Sequence, residues 1–123
     1  MGKLQRRKGS AYENHVANCL RNSGFPEAKR HLEFQFAEAL GRDLDHTKPF
    51  AIQCKHWNKT PPITVLNELI TDSEYYIRVA FLKKSQMKDS PGMHVVVMDA
   101  DWFLAIVSLL QENDLLKELT YEI

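Results

Sequence analysis

The chain has 123 residues, of which 44% are hydrophobic, so its length and composition suit one domain built around one core. Its 16 Lys and Arg residues balance 16 Asp and Glu residues, which counts mildly against a nucleic-acid partner, because nucleic-acid-binding domains are usually basic overall. No apolar run has the length of a membrane span, no signal-peptide pattern opens the sequence, and Cys19 and Cys54 lack metal-ligand spacing. We therefore expect a cytoplasmic protein with reduced cysteines and no membrane partner.

Positive charge is concentrated at the start of the chain, where Lys3, Arg6, Arg7 and Lys8 follow one another closely. Such a run is either a basic face that meets a polyanion or a solvated terminal tail. We expect a single domain over residues 1–123, in which residues 1–8 form a basic, flexible N-terminal arm. Because a domain of this size buries little surface, a homodimer is an expected way to bury more.

Residues 8–23 predict the first helix, because apolar side chains recur at helical spacing from Tyr12 onward. Ser10 is the predicted N-cap, with Glu13 three residues later as its capping-box partner. Gly24 is the predicted end of the helix.

The rest of the chain reads as strands and helices in alternation. In the first half we predict a strand at 28–36, a loop or short strand at 42–46 and a mostly buried strand at 50–55. In the second half we predict a long helix at 63–81 with a break near 71–73, a strand at 94–98, a helix at 102–111 capped by residues 99–101, and a short helix or edge strand at 115–123. This order indicates an α/β fold with a central mixed sheet covered by helices.

One group of polar residues stands out in the middle of the chain, where Gly41-x-Asp43 is followed by an apolar strand that contains Gln53-x-Lys55. Side chains two residues apart on a strand point to the same face, so Gln53 and Lys55 should project together while Cys54 points away. If the chain turns back between residues 46 and 49, Asp43 comes to lie beside Gln53.

These residue types suit the hydrolysis of a phosphodiester. The reaction needs neutralised phosphate charge and an activated water, and Mg²⁺ or Mn²⁺ held by oxygen ligands supplies both. Asp43 is the candidate carboxylate, with the Gln53 amide oxygen and the Cys54 backbone carbonyl as further ligands. Lys55 can orient the water or stabilise charge on the phosphate. Asp45 shares strand parity with Asp43 and is an alternative ligand.

The motif resembles the signature of the PD-(D/E)xK nuclease superfamily. The segment Ala51-Ile-Gln-Cys-Lys55 is similar to the form in Mrr-type restriction enzymes, and Lys8-Gly-Ser-Ala-Tyr-Glu13 is similar to the opening of archaeal Holliday-junction resolvases. The resemblance covers residues 6–57. It implies a restriction-endonuclease-like central mixed β-sheet flanked by helices, a Mg²⁺-dependent endonuclease and a DNA partner.

Carried over residue by residue, the resemblance implies an active site of Glu13, Asp43, Gln53 and Lys55, with Glu13 joining the metal ligands. It also implies DNA contacts near the start of the chain and beside the site, and the candidates are Arg6, Arg7, Lys8, Ser10, Arg30 and His56. Two departures from the resolvases are a Gln at position 53 where they have Glu, and the lack of a Gly/Ser-rich stretch before Asp43.

Three functions follow from these observations. The first is a homodimeric Holliday-junction resolvase that nicks four-way DNA junctions. The second is a restriction-like or repair nuclease that acts on duplex or flapped DNA. The third is an inactive DNA-binding module of the same fold, which the Gln at position 53 and the zero net charge favour. Each residue also has a plainer reading, since Asp43 can be a turn residue, Glu13 a capping partner, and Gln53 and Lys55 the solvent face of an edge strand.

Overall fold

A computed structural model describes residues 3–32, 40–57, 60–84 and 93–119, and of residues 3–9 it describes the backbone alone. The elements in chain order are α1 (Lys3–Asn22), β1 (Lys29–Arg30), β2 (Leu44–Asp45), β3 (Phe50–His56), α2 (Pro62–Asn67), β4 (Ile77–Lys84), β5 (Met93–Met98), α3 (Ala100–Glu112) and a 3₁₀ turn (Leu116–Glu118).

The sheet is mixed, as the order of elements predicts. Strand β3 runs parallel to β4 through the crossover that contains α2, and β4 pairs antiparallel with β5. Strands β1 and β2 form a short antiparallel pair. This pair lies against β3, because the Asp43 N–H donates to the Ile52 carbonyl at 2.8 Å. The predicted mixed α/β fold is therefore confirmed.

Helices lie on both faces of the sheet, and each face has its own apolar cluster. Helix α1 covers the face that Ile52 and Cys54 present, and α2 covers the face that Ala51 and Ala80 present. The first cluster comprises Tyr12, Val16, Ala17, Leu44, Ile52, Cys54, Ile77 and Val79, and the second comprises Ala51, Val65, Leu66, Leu69, Tyr75, Ala80 and Leu82. Residues two apart on β3 and β4 thus join the same cluster, as strand geometry requires.

The predicted long helix at 63–81 is wrong. The structure ends α2 at Asn67 and makes β4 from Ile77–Lys84. Because β4 contributes to the apolar clusters on both faces of the sheet, its apolar residues Val79-Ala-Phe-Leu82 follow one another without alternation, and periodicity alone cannot distinguish such a run from a buried helix. Ile70, an apolar residue within that predicted helix, is more than half exposed.

The first helix begins earlier than predicted and ends where predicted. Helix α1 begins at Lys3, so residues 3–8 extend the helix where an arm was expected, and Ser10 lies inside it. Ser10 is therefore not the N-cap, and Glu13 is not a capping partner. The C-terminal end fits the prediction, since the helix stops at Asn22 and Gly24 has a φ of 118°.

The remaining predictions fare unevenly. The strands at 50–55 and 94–98 and the helix at 102–111 are confirmed within two residues. The strand at 28–36 shortens to two paired residues, and residues 33–39 lie outside the described part of the chain. In the tail, Leu116–Glu118 form a 3₁₀ turn, and residues 120–123 lie outside the described part. Asp99 precedes α3 but binds the Arg78 guanidinium at 2.7 and 3.1 Å.

Helix α3 is apolar yet exposed. Across its 13 residues the structure buries none, although Trp102, Phe103, Leu104 and Leu109 are large hydrophobic side chains. A helix that is apolar on most sides is normally covered. Within the described ranges, no helix is both long and apolar enough to cross a membrane.

Candidate active site

Asp43 lies at the junction of three strands. Its carbonyl accepts the His31 N–H just past β1, and its own N–H donates to Ile52 on β3, both at 2.8 Å. Its side chain turns to the same strand, where Oδ2 accepts the Cys54 N–H at 2.8 Å. The sequence prediction that Asp43 comes to lie beside β3 is confirmed, and three backbone contacts hold the carboxylate in one place.

The carboxyl of Asp43 is difficult to ionise. Burial raises its pKa to about 6, and the negative charges of Glu13 and Glu68 add to the rise, while the Cys54 N–H and Lys55 oppose it. These neighbours come from α1, the end of α2 and β3. A buried carboxyl beside two other carboxylates is characteristic of sites that bind or use charge, because a folded core alone gains nothing from it.

Gln53 and Lys55 project from the same face of β3, as predicted, and one carboxylate contacts both. The Gln53 Nε2 donates to Glu68 Oε2 at 3.1 Å, and the Lys55 Nζ lies 3.7 Å from Glu68 Oε1. Sequence reasoning missed Glu68, because it assigned this residue to the middle of a long helix. The residue in fact caps the short α2 at the point where that helix meets the Gly41-x-Asp43 loop.

Glu13 enters the site from α1. Its Oε1 accepts from the Arg30 Nε at 2.9 Å, and both side chains are partly buried. This pairing gives α1 and β1 a common anchor and fixes the Glu13 carboxylate near Asp43. Arg30 was predicted to contact DNA, and in the structure its Nε is engaged by Glu13 while the side chain stays partly exposed.

Gly41 explains how the end of α2 comes so close. A Cβ at this position would lie 2.4 Å from the Glu68 carbonyl oxygen, and the φ of Gly41 is 86°. The Ile70 N–H also donates to the Leu40 carbonyl at 3.0 Å. The loop that carries Asp43 is thus fastened directly to the backbone of Glu68. Next along this loop, the Arg42 guanidinium stacks over the Tyr75 ring at 3.8 Å.

The other predicted residues are distributed around this centre. Asp45 faces His31, whose Nδ1 lies 3.0 and 3.1 Å from its two carboxylate oxygens, so the structure gives the alternative ligand another partner. His56 lies beside the Tyr12 ring at 5.7 Å. Ser10 is half-buried on α1. Arg6, Arg7 and Lys8 belong to the first turns of α1, and their side chains lie outside the described part.

Cys54 contributes its backbone N–H to the site, and the surroundings of its thiol disfavour the thiolate. Burial and the Asp43 carboxylate raise the pKa of the Cys54 thiol far above its ordinary value. A metal binds the thiolate form, which this environment disfavours. The predicted role of the Cys54 carbonyl stays a prediction, and its N–H already orients Asp43.

The oxygen donors at this site suit a hard divalent cation. Among the described residues, no group of three or more His, Cys, Asp and Glu could hold a metal. Mg²⁺ needs fewer such side chains, because one or two carboxylates, together with an amide or backbone oxygen and water molecules, are sufficient ligands. The Gln53 Oε1 is buried and has no hydrogen-bond partner in the described ranges, which marks it as an acceptor that awaits a donor or a cation. Asp43, Gln53 and a neighbouring Glu therefore fit such an ion.

Comparison of the chain with protein-family models, with curated proteins and with solved structures found no match. The resemblance to the PD-(D/E)xK superfamily accordingly depends on the sequence motifs and on the convergence of their residues around Asp43.

Proposed function

We propose that the protein is a metal-dependent DNA endonuclease that nicks branched DNA, with the four-way Holliday junction as its preferred substrate. The observation that carries this proposal is the placement of Asp43. Its buried carboxylate is bound to the strand that bears Gln53 and Lys55, and it interacts with Glu13 from α1. These contacts support the proposal that Asp43, Glu13, Gln53 and Lys55 act together at one site.

The order and direction of the elements also support the proposal. A helix, a run of three strands and a helical crossover lead to β4, which lies parallel to β3. A restriction-endonuclease-like fold requires a central mixed sheet flanked by helices, and α1 and α2 pack on opposite faces of this one. We propose that the chain has this fold.

The roles of the residues follow from their positions. When bound, Mg²⁺ or Mn²⁺ supplies Lewis-acid stabilisation and a more acidic water. Asp43 and the Gln53 amide oxygen would hold the ion. Glu13, whose carboxylate accepts a hydrogen bond from Arg30, would be a further ligand. The Lys55 side chain is 43% exposed, so its ammonium can donate a hydrogen bond to a phosphate oxygen that approaches from solvent.

The basic residues of α1 suit a polyanionic substrate. Arg6, Arg7 and Lys8 lie in α1, the helix that also bears Ser10 and Glu13. At a rise of 1.5 Å per residue, the backbone of Arg6 lies about 10 Å along the helix from the backbone of Glu13, which is within the span of a few phosphates. We propose that Arg6, Arg7, Lys8, Ser10, Arg30 and His56 contact DNA around the site.

The proposal is tested by incubating the protein with a labelled four-way junction and a matched duplex in Mg²⁺, Mn²⁺ or EDTA. We expect paired nicks in the junction, none in EDTA, and a loss of about 10²–10³-fold in Lys55→Ala, since a charge-stabilising donor is removed. Lys117→Ala is the control. Lys117 is an exposed lysine beyond α3, so this variant should cleave the junction like the wild type. Equal cleavage of the duplex would instead favour a restriction-like or repair nuclease, and tight junction binding without cleavage would favour an inactive DNA-binding module.

We also propose that the active form is a homodimer, paired through α3. Symmetric nicking of a junction takes two sites related by a two-fold axis, so a second copy of the chain is the occupant that the reaction requires. Leu104 and Leu109 are 58% and 60% exposed in the single chain, and β5, which leads into α3, lies at the edge of the sheet formed by the described residues. Exposed apolar surface of this kind is typical of an interface.

Replacing both leucines by glutamate tests the dimer. We expect Leu104→Glu/Leu109→Glu to halve the mass measured by light scattering, because burying two carboxylates in an apolar interface is unfavourable. Ile63→Glu is the matched control, since Ile63 is 61% exposed on α2 and should leave the mass unchanged. A wild-type protein that is monomeric at micromolar concentration, or a double variant that stays dimeric, would contradict the proposal.

A further inference from the structure

Gln53 is the point at which the site departs from the motif that it resembles. Its amide has a fixed orientation, because a carboxylate accepts hydrogen bonds and cannot donate them, so the nitrogen must face Glu68. The amide oxygen is thereby held on the buried side, where the described part of the chain offers it no partner. A neutral amide supplies one oxygen to a cation but no charge, which leaves Asp43 as the only anionic group of the strand motif.

Glu68 is positioned to supply the missing charge. Its carboxylate contacts both Gln53 and Lys55, at 3.1 and 3.7 Å. Its backbone is fixed by the close approach of Gly41 and by the bond from Ile70 to Leu40. A surface ion pair alone would require none of this backbone fixation, since exposed pairs contribute little.

We propose that Glu68 is the second carboxylate of the metal site, where it takes, together with the Gln53 amide oxygen, the place of the acid that the strand motif lacks. This inference rests on the proposed function. The resulting donor set of Asp43, Glu68 and the Gln53 amide suits Mg²⁺, which takes one or two carboxylates and neutral oxygens. As a metal ligand, Glu68 would give up its contact with Lys55, and the Lys55 ammonium would then be available to the substrate phosphate.

The test measures binding of Mn²⁺ alone, in the absence of DNA, by the loss of the free-ion EPR signal. We expect Glu68→Gln to weaken Mn²⁺ binding at least tenfold, since even the residues that merely support metal ligands commonly change affinity by about 10–100-fold. The double variant Gln53→Glu/Glu68→Gln moves the carboxylate from the helix to the strand and should restore affinity to within a few-fold of wild type. Glu27→Gln, an exposed acid in the turn after α1, is the control for the change in net charge.

The outcomes separate this inference from the proposed function. Glu68→Gln that binds Mn²⁺ like wild type, alongside Asp43→Asn that does not bind, would overturn the role of Glu68 and leave the nuclease site in place. If the double variant binds Mn²⁺ as weakly as Glu68→Gln does, a carboxylate at position 53 cannot replace the one at position 68, and the proposed equivalence of the two positions is overturned. If wild-type protein shows no saturable Mn²⁺ binding, the metal-dependent function itself fails. Unfolding free energies measured in EDTA show whether any variant has lost its fold.

Discussion

Asp43→Asn should make the metal-free protein more stable at pH 8 while removing its cleavage activity. The folded state raises the pKa of Asp43 from 3.8 to about 6, so the folded protein holds a proton that the unfolded chain releases. The associated stability is fully present below pH 3.8 and is lost as the pH rises through about 6. A shift of this size corresponds to about 3 kcal/mol, as an upper value. The asparagine carries no charge, and its amide oxygen can still accept the Cys54 N–H.

Urea unfolding in EDTA at pH 4 and pH 8 checks this prediction. We expect the variant and the wild type to be similar at pH 4 and the variant to be more stable at pH 8 by as much as about 3 kcal/mol. Glu27→Gln removes one exposed negative charge and should show no such pH dependence. Equal destabilisation of the variant at both pH values would contradict the prediction, because it would mean that the Asp43 carboxyl group stabilises the folded protein.

Mg²⁺ should reverse the order of stability. A cation that binds the ionised Asp43 carboxylate stabilises only the folded wild type, by an amount that grows with ion concentration. The wild type should therefore gain stability with added Mg²⁺ at pH 8, and Asp43→Asn should not. Such a reversal would account for a buried carboxyl beside Glu13 and Glu68, since the ion would relieve the repulsion that weakens the metal-free protein.

The parts of the site that could be predicted from sequence are those set by local geometry. Strand parity places Gln53 and Lys55 on one face whatever the rest of the fold does, and Glu68 contacts both of them. The strand itself was predictable because turn residues precede an apolar run of the right length. Asp43 was found because a glycine-containing turn leads into the next strand.

The parts that could not be predicted depend on tertiary contacts. Strand β4 reads like a helix because Ile77 and Val79 pack toward α1 while Ala80 and Leu82 pack toward α2. Once that segment is assigned to a helix, Glu68 becomes one more solvent-facing residue in its middle. Its role is visible only when α2 ends at Asn67 and the following backbone meets Gly41. Arg30 likewise has no sequence signal that it pairs with Glu13.

Gly41→Ala should destabilise the protein by more than any other single-methyl change that we consider. The φ of 86° disfavours an L side chain, which costs about 1–3 kcal/mol. The added Cβ would in addition lie 2.4 Å from the Glu68 carbonyl oxygen, a backbone atom that cannot rotate away. Forcing such an overlap costs about 1–3 kcal/mol more, because the loop and the end of α2 must separate.

Comparison with Gly24→Ala isolates the cost of the overlap with Glu68. Gly24 also has a positive φ, of 118°, but a Cβ there meets nothing within 4 Å, so only the backbone strain applies. We expect chemical denaturation to show a larger loss for Gly41→Ala than for Gly24→Ala, and Mn²⁺ binding to weaken only in Gly41→Ala, because that substitution displaces Glu68 from Gln53 and Lys55. Equal losses of stability would mean that the Gly41 contact with Glu68 is not tight in solution. Equal Mn²⁺ affinities would mean that the metal site tolerates movement of α2, and a fixed backbone would then no longer support Glu68 as a ligand.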